Sequence, residues 1–241
     1  MLDWLLLPLD AARGHDVDGL IAWHGRLMVL AWGILVPIGV IAARFFKILP
    51  RQDWPRHVDN QVWWVIHRVC QYVASAATLV ALACILIELR AASVASLHAL
   101  FGWSVLLLLC VQLLGGWSRG SKGGPTEPAP DGTTRGDHYD MTRHRRVFER
   151  LHKSAGYLAL LVAACAIGTG LWHVNAPRGF WLLIGGWWGG CTVTFVALQR
   201  RGRAFDTYQA IWGPDPAHPG NAVAPIGWGI RRLGPEEKPY E

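Results

Sequence analysis

The chain has 241 residues, of which 52% are hydrophobic and 17% charged, with 14 Trp and a formal net charge of +6. This composition excludes a disordered chain and an ordinary soluble domain, and it is typical of an integral membrane protein. Membrane topology and attraction to anionic lipid explain the positive charge. We therefore expect membrane lipid, and not nucleic acid, as a partner.

Five apolar segments are long enough to cross a bilayer, which needs about 20 residues of helix. The sequence therefore predicts an all-α membrane protein with five transmembrane helices. The segments run over about Leu20 to Arg44, Gln61 to Leu89, Ser96 to Trp117, Phe148 to His173 and Gly179 to Gln199.

The other boundaries follow from these spans. Residues 1–19 lack the basic start and the length of a signal sequence, so we expect a retained periplasmic segment at the membrane interface. Residues 20–173 form the core, with a flexible, Pro- and Gly-rich cytoplasmic loop at about 118–147. The fifth helix occupies 174–199. Residues 200–241 form a cytoplasmic tail that is expected to be irregular and to dock on a partner through Tyr208, Trp212 and Trp228.

Lysine and arginine indicate the orientation, because they accumulate in short cytoplasmic loops. One side holds only Arg13, Arg90 and Arg178. The opposite side holds sixteen basic residues: Arg44, Lys47, Arg51, Arg56, Arg119, Lys122, Arg135, Arg143, Arg145, Arg146, Arg200, Arg201, Arg203, Arg231, Arg232 and Lys238. The sequence thus predicts a multi-pass protein of the cell inner membrane with a periplasmic N-terminus and a cytoplasmic C-terminus.

Four histidines lie near the start of four successive spans. Ionisable side chains within a membrane normally bind something, relay protons or pair with each other. Because consecutive helices run in opposite directions, His24 and His98 fall near the outer face, and His67 and His152 near the inner face. We name these the first pair and the second pair.

Two facing imidazoles suit haem iron, with one histidine at each axial position. Full axial occupancy favours electron transfer over oxygen chemistry, so no bond-making catalytic residue is needed. No Cys-x-x-Cys-His motif occurs, which indicates a non-covalent b-type haem. The four histidines are therefore the candidate iron ligands of two haem b groups. A haem-free carrier that uses them as a proton relay is the alternative.

The same residues resemble a known family. The string Trp23-His24-Gly25-Arg26-Leu27-Met28, followed by Trp32 to Gly39 and Ala43-Arg44, is similar to the first core helix of the cytochrome b561 family, especially the branch fused to extracellular domains. The second, third and fourth core helices are resembled by Trp64-Val65-Ile66-His67-Arg68 with Gln71, Ser96-Leu97-His98 with Gly102 and Gln112, and Arg150-Leu151-His152-Lys153 with Gly156 and Tyr157.

This resemblance implies a four-helix dihaem core with the same two ligand pairs and electron transfer across the membrane. We expect no extracellular domain before the core. The first loop lacks the full basic and aromatic signature of ascorbate-using members, so the expected donors are a membrane quinol or a small periplasmic reductant. The expected acceptors are a periplasmic cytochrome, ferric iron or a partner enzyme.

Three basic residues close to the ligands are candidates for binding the anionic haem propionates. Arg26 follows the ligand of the first span, and Arg68 and Lys153 directly follow the second pair. A charge-assisted bond to a propionate and extension to the lipid headgroups are both open. Gly25, Gly102 and Gly156 would either let a porphyrin approach the backbone or serve ordinary helix packing.

Two further readings concern partners. The protein could be an accessory haem-bearing subunit of a larger respiratory or photosynthetic complex. The fifth helix carries two overlapping Gly-x-x-x-Gly patterns between Gly185 and Gly190, which would serve a homodimer or packing onto the chain's own core. Among the remaining histidines, His15 and His173 could assist proton release from a quinol, whereas His138, His144 and His218 are expected to be solvated.

Overall fold

The computed structural model of the protein describes residues 2–15, 17–88, 96–124, 127–128, 130–234 and 237–240. Leu89 and Arg90 of the predicted second span and its loop, and Pro125 of the predicted flexible loop, lie outside this part. The described residues form α1 (Leu2–Leu6), α2 (Gly19–Phe45), α3 (Val62–Glu88), α4 (Leu97–Trp117), α5 (Arg143–His173), α6 (Arg178–Arg200), α7 (Thr207–Trp212) and a 3₁₀ turn at Pro219–Ala222.

Helices α2 to α6 are long and apolar enough to cross a membrane, which confirms the predicted five spans. Many large apolar side chains on them face away from the protein. Leu79, Leu107 and Val193, for example, are 60%, 66% and 69% exposed. Such surfaces are expected where lipid, and not water, covers a helix.

Four of the long helices begin at a polar side chain that binds a free backbone N–H of the first turn. Helix α5 consequently starts five residues before the predicted Phe148, because Thr142 caps it and the arginine-rich stretch 143–146 is already helical. The four caps are Asp18 to Leu20 N (2.9 Å), Asn60 to Val62 N (3.0 Å), Ser96 to Ala99 N (3.1 Å) and Thr142 to Arg145 N (3.2 Å).

The chain divides into two compact units. The first unit comprises residues 1–39, 68–109 and 158–195, and the second comprises residues 40–67, 110–157 and 196–241. Each of the five long helices contributes residues to both units.

In the first unit, helix α2 has π-helical geometry over Val29–Leu35. π-helical turns disturb the regular backbone hydrogen-bond ladder, and here two indoles from α6 supply donors. Trp187 and Trp188 both donate through Nε1 to Gly33 O, at 2.8 and 3.1 Å. The indole of Trp32 donates to Thr78 Oγ1 at 3.0 Å. Polar bonds of this kind join helices where lipid offers no hydrogen-bonding partner.

The N-terminal segment folds back on the α5–α6 connection, also within the first unit. The buried side chain of Asn175 accepts from Asp10 N and donates to the Asp10 and Arg13 carbonyls, at 2.8 to 2.9 Å. The exposed Trp4 and Leu6, 50% and 73% accessible, are suited to the membrane interface at which the sequence places this segment.

In the second unit, the tail packs against the connections between the long helices. One buried cluster joins Ile48 and Trp54 of the α2–α3 connection to Phe205, Ala210 and Leu233 of the tail. Another joins Met141 to Tyr208 and Ile226. The expectation that the tail presents Tyr208 to a partner is wrong, because Tyr208 is 1% exposed. The tail finds in the two connections the apolar surface that its own short sequence cannot provide.

The described part of the α4–α5 connection is also hydrogen-bonded, contrary to the prediction of a flexible loop. His138 N donates to Ser121 O at 3.0 Å, and Tyr139 N donates to Lys122 O at 3.1 Å. Gly123 and Gly124 adopt positive φ values of 81° and 76°, which glycine tolerates readily. These glycines, which in the sequence suggest flexibility, therefore form defined turns.

Candidate functional site

The first histidine pair lies within the first unit. His24 on α2 and His98 on α4 face each other with ring centroids 6.1 Å apart and ring planes at 86°. Each Nδ1–H donates to a backbone carbonyl, His24 to Ala81 O at 2.9 Å and His98 to Ala166 O at 3.0 Å. These bonds fix the ring orientation and leave Nε2 of each imidazole available to a metal ion.

Gly170 of α5 leaves the space that the His98 ring occupies. An added Cβ at Gly170 of α5 would lie 2.9 Å from Cε1 and 3.1 Å from Nδ1 of the imidazole. Any larger residue would therefore push the ring off its carbonyl partner on the same helix. Sequence reasoning did not single out this glycine.

The second pair lies within the second unit. His67 on α3 and His152 on α5 have ring centroids 6.3 Å apart and ring planes at 79°. Gln112 of α4 donates to His152 O at 3.0 Å and so ties two helices together next to the ligand. Among the described residues, Nδ1 of His152 is buried without a hydrogen-bond partner.

Both pairs fit an iron ion between two axial imidazoles. A metal–nitrogen bond of about 2 Å, plus about 1 Å from nitrogen to ring centre on each side, places the centroids about 6 Å apart. The observed separations of 6.1 and 6.3 Å match this spacing. Within the described chain, no three or more His, Cys, Asp or Glu side chains gather as a metal-binding group. A pair is sufficient for haem, because the porphyrin supplies the other four nitrogens.

The candidate propionate ligands lie in different surroundings. Arg26 is exposed on α2 and lies over the Trp23 ring, 5.3 Å from its centroid. Arg68 is exposed on α3. Lys153 binds Glu149 Oε2 at 2.7 Å and Ile226 O at 2.8 Å. The propionate role of these three residues stays a prediction.

Of the other predicted features, the glycines next to the ligands differ among themselves. A Cβ at Gly25 or Gly102 would meet no atom within 4 Å, whereas one at Gly156 would lie 3.5 Å from Gln112 Nε2. The small residues of the Gly185 to Gly190 stretch likewise have open space around them.

Sequence reasoning missed a buried charge cluster around Glu149. Its carboxylate, in a residue 5% exposed, binds Arg145 Nε at 3.0 Å and Lys153 Nζ at 2.7 Å. The sequence signal was available, since the three residues are spaced four apart on α5. His138 Nε2 lies 3.8 Å from the same carboxylate.

The prediction that His138 is solvated is wrong. It is 2% exposed and contacts the rings of Tyr208 and Trp212. Burial, reinforced by the positive charge of Arg145, lowers the pKa of His138 from 6.5 to about 3. The imidazole is therefore neutral at physiological pH and serves the packing of the tail against the α4–α5 connection.

Three basic side chains of the second unit hold the tail through its backbone. Lys47 donates to Phe205 O at 2.9 Å, Lys153 to Ile226 O at 2.8 Å, and Arg44 to Trp228 O at 2.7 Å. Burial, with the nearby charge of Lys153, lowers the pKa of Lys47 to about 7. The sequence marked Arg44 and Lys47 as topology signals, and the structure shows that they also bind the tail.

Taken together, the spans and the paired histidines define a helical membrane protein with two paired-imidazole sites. Residues 23–119 match the family model described as eukaryotic cytochrome b561. That segment contains His24, His67 and His98, and the fourth histidine follows on α5. Over this segment the chain is similar to the cytochrome b561 family, and this similarity points to haem b binding.

Several curated proteins are similar to this chain. A cytochrome b561, DM13 and DOMON domain-containing protein of Arabidopsis thaliana is 30% identical over 200 residues, which cover 80% of this chain and 20% of the relative. Ferric-chelate reductase 1 of Bos taurus is 28% identical over 174 residues, which cover 70% of this chain and 26% of the relative. The chain thus spans about a fifth to a quarter of the length of these two relatives. No solved structure matches it.

Proposed function

We propose that the protein transfers electrons across a membrane through two b haems, one held by His24 and His98 and the other by His67 and His152. The observation that carries the proposal is the presence of two separate imidazole pairs, each at the spacing of two axial ligands. Similarity to the cytochrome b561 family supports haem binding, and the five long apolar helices support a membrane setting.

Haem, when bound, supplies reversible one-electron redox chemistry. The chain would contribute by positioning both imidazoles as iron ligands and by setting the surroundings that determine the potential. For the first pair, the carbonyls of Ala81 and Ala166 hold the tautomer. If both imidazoles of a pair held the iron, no position would be left open for oxygen, which would favour electron transfer.

The direction of the chain in the membrane is part of the proposal. The predicted basic loops place the N-terminus in the periplasm and the C-terminus in the cytoplasm of a cell with an inner membrane. The first pair would then serve the periplasmic side, and the second pair the cytoplasmic side. The membrane interface suits the apolar Trp4 and Leu6 of the N-terminal segment.

A quinol or a small reductant is the proposed donor, and a redox protein or ferric iron is the proposed acceptor. Three of the similar proteins carry the name ferric-chelate reductase 1, from Bos taurus, Homo sapiens and Mus musculus. This favours a chelated ferric ion among the acceptors. His15, which donates to Val174 O at 2.8 Å, and the exposed His173 lie on the same α5–α6 side, where proton release from a quinol was predicted.

An accessory subunit, a homodimer and a haem-free carrier would each be recognised by a different feature. An accessory subunit would use its tail to dock, and Trp228, 75% exposed, is the tail aromatic that remains accessible for this. A homodimer would use the open glycine face of α6. A haem-free proton carrier would use the same four histidines, and it would be colourless after purification.

The test is a dithionite-reduced minus oxidised absorption spectrum with haem quantification. We expect about two b haems per chain in the wild type, and about one in His98→Ala and in His152→Ala, with the remaining haem spectrally distinct in the two variants. His144→Ala is the matched control, because His144 lies on α5 as well but is exposed; it should keep both haems. A haem-free wild type after expression with ample haem would overturn the proposal and favour the proton carrier.

A further inference from the structure

The end of helix α5 is closed by a left-handed turn at Asn175. This residue has a φ of 49°, which asparagine tolerates better than most other residues do. Its N–H donates to Trp172 O at 3.1 Å, and Ala176 N donates to Leu171 O at 2.9 Å. These are the two hydrogen bonds of a Schellman motif, which satisfies carbonyls that the end of a helix otherwise leaves free.

The next two carbonyls, those of His173 and Val174, need donors from elsewhere. The residue four positions after His173 is Pro177, which has no N–H. The N–H four positions after Val174 is that of Arg178, and it donates to Leu7 O at 3.0 Å instead. Carbonyls at a helix end require such partners from another segment or from water.

The N-terminal segment supplies these donors. Arg13 donates to His173 O at 3.0 Å and also to Trp172 O at 3.2 Å. His15 donates through Nδ1 to Val174 O at 2.8 Å. The guanidinium of Arg13 therefore lies at the C-terminus of α5, where the helix dipole stabilises a positive charge. Together these bonds complete the hydrogen bonding at the end of α5.

Residues 7–15, which we name the N-terminal strap, are also held by the side chain of Asn175. This side chain belongs to a residue that is 2% exposed. Its Nδ2 donates to Arg13 O at 2.8 Å and to Asp10 O at 2.9 Å, and its Oδ1 accepts from Asp10 N at 2.9 Å. Asn175 thus forms the turn through its backbone and binds the strap through its side chain.

The turn that the strap holds is next to the part of α5 that receives His98. Val174 N donates to Gly170 O at 3.1 Å, so Gly170, which leaves space for the His98 ring, belongs to the last turn of the helix. Ala166 O, one turn earlier, accepts from His98 Nδ1 at 3.0 Å. Helix ends fray readily, and a small displacement of this one would alter both contacts of the imidazole.

We propose that Arg13 and Asn175 are positioning residues for the first haem, because they hold the last turn of α5 where His98 serves as an axial ligand. The inference rests on the proposed function, since it requires a haem at the first pair. The strap, the end of α5 and the first pair all lie in the first unit, and the second pair lies in the other unit. The strap should therefore affect the first haem alone.

Transfer of haem from the purified full-length protein to an excess of apomyoglobin tests this role. The rate is measured in the dihaem protein and in two single-haem backgrounds, His152→Ala with the first haem and His98→Ala with the second. Arg13→Gln should accelerate release of the first haem about tenfold, the smaller effect expected for a residue that supports a metal ligand. Release of the second haem should keep its rate. Arg13→Lys, which retains a donor and the charge, should restore part of the effect.

Asn175→Gly separates the strap contacts from the turn. Glycine adopts a positive φ readily, so the turn is kept while the side-chain bonds to the strap are lost, and the first haem should again be released faster. Arg178→Gln is the matched control. Arg178 is an arginine of the same unit whose guanidinium lies over Trp4, 4.9 Å from the ring centroid, and its loss should leave both rates unchanged.

Electron paramagnetic resonance of the ferric protein gives a second readout. The low-spin signal of a haem depends on the orientation of its two axial imidazoles. Arg13→Gln and Asn175→Gly should therefore shift the signal of the first haem and leave that of the second in place. A general loss of stability would release haem without this selective shift.

The opposing results are specific. If both variants release the first haem at the wild-type rate, or release the two haems equally faster, the inference is wrong while the dihaem function stands. Equal effects of Arg178→Gln and Arg13→Gln would also overturn it. If the wild type binds no haem, the proposed function fails, and the inference fails with it.

Discussion

His98 depends on the absence of a side chain elsewhere. In any residue other than glycine at position 170, the Cβ would lie only 2.9 Å from Cε1 of the His98 ring. Heavy atoms of real side chains do not approach so closely, so α5 or the imidazole would have to move. The carbonyl bond to Ala166, four residues earlier on α5, depends on the same close approach.

Replacing Gly170 by alanine should selectively weaken the first haem site. We expect Gly170→Ala to lose most of the haem of the first pair and to keep that of the second, measured by haem quantification and by the reduced spectrum. Gly168→Ala is the control, because its Cβ would meet no atom within 4 Å. Equal haem content in the two variants would show that the close contact is unimportant.

His138 should make the protein sensitive to acid. Its pKa in the folded chain is lowered to about 3, against an ordinary value of 6.5, because of burial and then Arg145. Below about pH 6.5 His138 binds a proton in the unfolded chain but stays neutral in the folded chain. The free energy of unfolding therefore decreases as the pH falls toward 3. Glu149, Lys153 and Lys122 also act on this group.

The measurement is thermal unfolding in detergent between pH 7.5 and 4. The unfolding temperature of His138→Leu should fall less with decreasing pH than that of the wild type. At pH 5 we expect the loss to be smaller by several degrees. His144→Leu, at an exposed position of α5, should follow the wild-type curve. A parallel decline in all three proteins would assign the acid sensitivity to other groups.

At the scale of the element, α2 combines a π-helical stretch with donors from another helix. Gly33 O accepts from two indoles of α6, and a carbonyl has two lone pairs. Removing one donor leaves the carbonyl with a partner. Removing both leaves it unsatisfied in an apolar setting, where water is absent.

The two indoles should therefore act non-additively. We expect Trp187→Phe and Trp188→Phe each to cost about 0.5–1 kcal/mol, and the double variant about 1–3 kcal/mol more than their sum, because only it orphans the carbonyl. Denaturation in mixed micelles measures the cycle. Simple additivity would mean that another group replaces the lost donors.

The elements show which features a sequence reveals. The five spans were predictable, since length and apolar composition set them. The cost of an intramembrane histidine marked four candidate ligands, and the structure brings these histidines together as two pairs. The sequence did not predict the early start of α5, because residues 143–146, three arginines and one histidine, contain no apolar side chain, although Thr142 caps them. Hydropathy detects the apolar part of a helix and overlooks its polar extension.

At the scale of the whole molecule, the same limit applies to contacts between distant segments. Two contacts have no local sequence pattern: that of Gly170 with His98 and that of Arg119 with Trp64. Each contact joins residues that are far apart along the chain. The order of the tail was missed for the same reason. Phe205 and Tyr208 have partners in connections more than 60 residues away along the chain.

Removing the tail should expose these connections. We expect truncation after Arg203 to accelerate protease cleavage within residues 120–140 at least tenfold, since Tyr208 and Trp212 then no longer cover His138 and Tyr139. Trp228→Ala should stay within about twofold of wild type, as this side chain is 75% exposed. Mass spectrometry of the fragments gives the sites. Unchanged cleavage after truncation would show that the connection holds its structure alone.

The cations that hold the tail bind it at main-chain oxygens of residues 205, 226 and 228. Every amino acid has this main-chain oxygen, so substitutions of the tail side chains do not by themselves remove these contacts. The contacts do require the side chains of Arg44, Lys47 and Lys153, which supply the donors. In distant relatives, the conserved trace of this arrangement should therefore be the three basic residues, while the segment that they bind diverges until alignment no longer detects it.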